Sequence, residues 1–130
     1  MTLEMALVNK LLATSAVTAL AGTRIHPGEA PEGDADPHVV FFNSSIITHH
    51  TMGQDSNKRH EFWQINAFSR DYDTARAVAE AIRATLVDFS GVMGGAGGVT
   101  VDRVFLQDAA TETLNGVVNS WLEFEIWYEG

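Results

Sequence analysis

The stretch "EFWQINAFSRDYDTARAVAEAIRATL", Glu61 to Leu86, holds two hydrophobic periods in succession. Up to Ser69 the period is two: Trp63, Ile65 and Ala67 fall on one face, while Gln64 and Asn66 lie on the other between Phe62 and Phe68. That alternation suits a strand with one wetter side. From Ala75 the period becomes helical. Ala75, Val78, Ala79, Ile82 and Leu86 form one stripe, with Arg76, Glu80 and Arg83 outside it. On a helix Glu80 reaches either arginine, Arg76 before it or Arg83 after it. Asp71 and Asp73 stand where a cap belongs. A strand running straight into an amphipathic helix makes the fold mixed, and the flanking sequence supplies the partners.

Upstream, "PHVVFFNSSIITHH" from Pro37 is dense in β-branched and aromatic residues and reads as a strand, with Pro37 at its tolerated first position. The polar "THHTMGQDSNKRH", Thr48 to His60, reads as a turn or mobile loop between this strand and the next. At the start of the chain Thr2 caps a helix, Glu4 favours its dipole, and Leu3, Leu7 and Leu11 with Ala6 and Val8 make an apolar stripe. The pattern dissolves in "TSAVTALAG", and Gly22 is a natural stop. This segment lacks a basic leader region, and Glu4, Asn9 and Lys10 interrupt it, so it reads as a helix and not as a signal peptide.

Downstream, "SGVMGGAGG" reads as a flexible break, and "VTVDRVFLQD" as a third long strand. After a loop ending in Asn115–Gly116 comes "VVNSWLEFEIWYEG", with Leu122, Phe124, Ile126 and Tyr128 on one face and Glu123 and Glu125 on the other. The expectation is a single domain over residues 1–130 of class α+β. It consists of a largely antiparallel sheet of about four strands with two helices on its apolar side, ordered helix–strand–strand–helix–strand–strand.

With 17 acids against 8 bases the net charge is −9, and the basic residues are scattered. A groove gripping phosphate needs them clustered, so the pattern argues against nucleic-acid binding by charge, although a surface that nucleic acid slides past is compatible. No stretch approaches the roughly 18 apolar residues of a membrane span, and the chain reads as soluble. It has no cysteine, which removes disulfides, thiolate zinc sites and cysteine nucleophiles together.

Chemistry finds little support. His49 and His50 point to opposite faces of an extended chain, so only one of them could join His60 at a metal. The acid pairs Asp34/Asp36, Asp71/Asp73 and Glu123/Glu125 fall in a loop, at a helix start and on a solvent face, without the rigid cleft that paired-carboxylate catalysis needs. The glycine-rich run lacks a GK[ST] ending and precedes a strand instead of a helix. The expectation is no enzyme, no cofactor and no metal.

Most of the chain nevertheless follows one pattern. "ALVNKLLATSAVTALAGTRIHPGEAP" leads to "PHVVFF", then to "FWQINAFSRDYDTARAVAEAIRATL" and finally to "WLEFEIWYE". This resembles the tail-completion or tail-terminator proteins of long-tailed phages and phage-derived gene-transfer agents. The resemblance implies a structural virion protein at the neck end of a tail, assembled in the bacterial cytoplasm. It implies a homo-oligomeric, hexameric ring that caps the tail tube, stops its elongation and joins it to head–tail connector proteins, with DNA passing through without sequence-specific contact. Within that frame the proline-stiffened segment carrying His26, Pro27, Glu29, Pro31, Asp34, Asp36 and Pro37 is the candidate subunit-interface arm, against the alternative of an ordinary surface loop. Two rival functions stand beside the terminator: a head-side head–tail adaptor, and a small metal-dependent enzyme using His49 or His50 with His60.

Overall fold

The computed structural model describes residues 2–29, 36–51 and 54–129. Two short helices, α1 (Leu3–Leu12) and α2 (Ser15–Ala21), precede strands β1 (Ile25–Pro27), β2 (His38–Thr51) and β3 (Gln54–Ser69). Helix α3 (Tyr72–Leu86) follows, then β4 (Gly91–Met93), β5 (Val99–Leu114) and β6 (Val117–Glu129). The strands form one sheet in the order β1-β2-β3-β6-β5-β4. Only the β1–β2 pair is parallel; the others are antiparallel.

The α+β class and the four long strands agree with the sequence reading, but among the described residues the sheet has six strands and the helical layer three helices. The N-terminal segment does not continue as one helix: the axes of α1 and α2 meet at 81°. Thr14 causes the break. Its backbone is extended (φ −97, ψ 110), and its hydroxyl donates to the Lys10 carbonyl at 2.8 Å. The bend lets Leu7 and Leu11 share one core with Val17 and Ala21. Neither helix alone is long and apolar enough to cross a membrane.

The two added strands are edge pieces of three residues each. "TRIHP" carries β1, held where the Val39 N–H donates to the Arg24 carbonyl and the Gly28 N–H to that of Phe41. The glycine-rich "SGVMGG" carries β4, anchored by the fully buried Met93. Gly98 is required there, because a Cβ would sit 2.0 Å from the Met93 carbonyl oxygen. The expected loop from Thr48 to His60 is also largely strand: the β2–β3 ladder runs on to His50↔Asp55 and Thr51↔Gln54. Polar residues suggested a loop, yet backbone ladder pairing holds a hairpin here.

Helix α3 sits where its stripe predicts. Ala75, Val78, Ala79, Ile82 and Leu86 are buried, and Asp71 caps the first turn by accepting from the Thr74 N–H at 3.2 Å. Val78, Ala79, Ile82 and Leu86 join Val39, Phe41, Trp63, Ile65, Leu122, Phe124 and Ile126 in one core between the helices and a single face of the sheet.

Candidate functional site

Alternation along the strands sends the other residues to the opposite face. Phe62, Gln64, Asn66 and Phe68 of β3 stand opposite Glu125, Glu123, Trp121 and Asn119 of β6. Phe42, Phe105 and Trp127 extend the same face toward its margins. Among the described residues no helix packs here, since the helical core residues cluster with the other side. An amide chain runs through the centre: Gln64 Nε2 and Asn119 Nδ2 both donate to Asn66 Oδ1, and Asn66 Nδ2 donates to the Val40 carbonyl. The result is a mixed aromatic and acidic surface over which no element packs among the described residues.

The candidate arm is tied to its own domain at both ends. His26 and Pro27 lie in β1, paired with Val40 and Phe41. Glu29 is exposed just beyond, its N–H donating to the Pro27 carbonyl. At the other end Asp36 precedes Pro37 through a cis peptide bond, and its Oδ2 accepts from Ser69 Oγ at 3.1 Å and from the Arg70 N–H. The Pro37 carbonyl accepts from Arg24 Nε at 2.7 Å. Pro31 and Asp34 lie outside the described residues. Four of the seven candidates, His26, Pro27, Asp36 and Pro37, therefore root the segment in the sheet, and Glu29 marks where it departs.

Of the histidines singled out as metal candidates, His60 packs against Trp127 with ring centroids 4.3 Å apart and meets Phe62 edge-on. The side chains of His49 and His50 lie outside the described residues. Among the described residues no three His, Asp or Glu side chains converge on a metal position.

One buried carboxylate escaped the sequence reading. Glu61, 6% exposed, borders a cleft of about 460 Å³ shared with Thr2, Arg59, Trp63 and Tyr128. Its Oε1 accepts from Asn43 Nδ2 at 3.0 Å and Trp63 Nε1 at 3.2 Å, and its Oε2 accepts from the Tyr128 hydroxyl. Burial pushes its carboxyl above the usual carboxylate range, while the Trp63 hydrogen bond and the Arg59 charge pull the other way. Every contact is a donor to Glu61, which suits a structural acceptor tying β2, β3 and β6 together. The only clue in the sequence was that Glu61 continues the buried alternation of Trp63 and Ile65.

Among the described residues the sheet is closed by helices on one face, open on the other and edged by two short strands. The chain belongs to the tail completion protein gp17 family, which it matches over residues 5–129. It is a structural protein of phage-like tails and not an enzyme. No curated protein matches it. Among solved structures it is similar to a chain in the virion of a native gene transfer agent (GTA) particle, at 19% identity and a TM-score of 0.81, over 98% of this chain and 95% of that one. A second solved chain is similar at 15% identity and a TM-score of 0.56, over 97% and 96% of the two chains. At these identities the likeness is one of fold.

Proposed function

We propose that the chain closes into a hexameric ring on the end of a tail tube, stops the tube growing and offers the surface to which the head-side connectors bind. The observation that carries this reading is the family match over residues 5–129, a tail-completion family spanning nearly the whole chain. The face of the sheet away from the helices supports it by supplying contact area that no described element covers. The net charge of −9 suits a passage through which DNA moves without being held. In this reading the segment between Gly28 and Asp36 contacts the next subunit.

Electron microscopy of the purified protein mixed with tail tubes tests the reading. Rings seated on one end of each tube, together with tails of uncontrolled length in a strain lacking the protein, are the expected result. Normal tail lengths in that strain, with the protein attached to heads instead, would replace the terminator by the head-side adaptor.

A further inference from the structure

The two outer long strands are each covered over part of their length only. β1 pairs with β2 at Val39–Phe41, so from Ser45 to Thr51 the outer side of β2 has no strand partner among the described residues. β4 pairs with β5 at Val99–Val101, so from Phe105 to Leu114 the outer side of β5 has none either. The covered parts lie at opposite ends of the sheet, and so do the open parts. Long uncovered edges template further strand pairing, and monomeric proteins generally suppress them.

We infer that the open edge of β5 in one copy pairs with the open edge of β2 in the next, so that a second copy of this chain is the occupant of both. This rests on the ring reading and specifies its joint. Along the sheet β2 and β5 run in opposite directions, so like-oriented neighbours meet antiparallel, the more stable arrangement. Charge selects this joint over β5 with β5. The open stretch of β5 carries Asp108 and Glu112 and no base, whereas Ser45–Thr51 carries no acid and includes His49 and His50. Two β5 edges paired about Ala110 would set each Asp108 directly opposite a Glu112, a repulsive arrangement. The joint is therefore head-to-tail, the type that closes into a ring. Its stagger, set by β1 at one end and β4 at the other, is of the kind that strand tilt in closed barrels requires.

The donors on β5 can be named. Asn115 and Gly116, at φ 53 and 79, make a two-residue turn, so Leu114 and Val117 form the hydrogen-bonded pair beside it. Alternation then points the N–H groups of Thr113, Thr111 and Ala109 away from β6. The last of these is covered by its neighbour, Asp108 Oδ1 accepting it at 2.9 Å, which leaves Thr111 and Thr113 as the outward donors. Large apolar side chains flank both edges: Phe42 is 41% exposed, Phe105 39% and Leu114 73%.

Hydrogen exchange on the assembled protein, compared with the dissociated chain, reads the joint directly. Thr111 and Thr113 amides should slow by about tenfold or more on assembly. Thr113→Pro, which removes an outward donor from an edge strand, should abolish rings while preserving circular dichroism, and Thr113→Val should leave rings intact. Rings whose Thr111 and Thr113 amides exchange at the dissociated rate would overturn the joint and leave the ring reading standing. A dimer that protects β2 but not β5 would overturn it in favour of a two-fold β2 contact. A protein that forms no ring, alone or on tubes, would remove the ring reading and this joint with it.

Discussion

The two faces of the sheet both carry large aromatic side chains and meet opposite fates. Toward the helices, Phe41, Trp63, Ile65, Leu122, Phe124 and Ile126 are buried by partners within the chain. On the other side Phe42, Phe62, Phe105, Trp121 and Trp127 stand among glutamates and amides, with no helix over them among the described residues. A core face must exclude every unpaired charge, whereas a face that meets water before assembly has to carry some. The interspersed Glu123 and Glu125 therefore mark an aromatic surface that is exposed during the life of the subunit.

The strongest way to break this contrast is to place a charge on the closed side. Ile82 is almost fully buried between α3 and the sheet. Ile82→Asp buries an unpaired carboxylate and should cost about 4 kcal/mol or more, enough to unfold a marginal domain. Thermal melting checks it, and a melt near the wild-type temperature would mean that the helix faces are assigned backwards. The matching change on the bare side should behave differently. Phe105→Glu should shift stability by no more than about 0.5 kcal/mol, as surface substitutions do, and should reduce assembly on tail tubes. A comparable loss of fold from both variants would erase the distinction between the faces.

The same distinction explains what the sequence could reveal. The α3 stripe and the alternations of β3 and β6 were legible because their partners lie in the same chain and enforce one period. The polar reach from Thr48 to His60 showed no period in its sequence, and the backbone pairing that makes it strand, His50 with Asp55 and Thr51 with Gln54, leaves no local signal. β1 and β4 were missed for a related reason. Three-residue strands are fixed by tertiary hydrogen bonds, as between Val39 and Arg24, and carry almost no local signal. The break at Thr14 likewise followed from the need to bring Leu11 and Val17 into one core.

Glu61 sharpens the contrast, being a carboxylate at the edge of the closed side. Its folded pKa is raised above the unfolded value, so its stabilising contribution is complete below the ordinary carboxylate range and is lost as pH rises through the raised value. In Glu61→Gln the amide oxygen still accepts from Asn43 and Trp63, and its NH2 faces the Tyr128 hydroxyl oxygen without ionising. Urea unfolding from pH 4 to 8 should show the variant gaining on wild type as pH rises. A constant difference would mean that Glu61 is equally charged in both states, and wild type gaining on the variant as pH rises would mean that its donors outweigh its burial.

The smallest effect belongs on the outer side of α3. Arg83 Nη1 lies 3.7 Å from Glu80 Oε2, and Arg76 Nη2 lies 4.0 Å from Oε1, with all three side chains about half exposed. Such pairs gain little Coulomb energy in water and lose side-chain freedom, so Arg83→Ala should cost no more than about 0.5 kcal/mol. Raising the salt should shrink even that, because exposed charges are screened within about 10 Å at ordinary ionic strength. The measurement to pair with the melt is assembly on tail tubes. If the subunit joins its neighbours through the bare face and open edges, Arg83→Ala leaves assembly unchanged. If instead the variant melts normally but no longer caps tubes, the helical layer is the contact surface. The aromatic face would then line a boundary that no subunit touches, inverting the roles of the two sides.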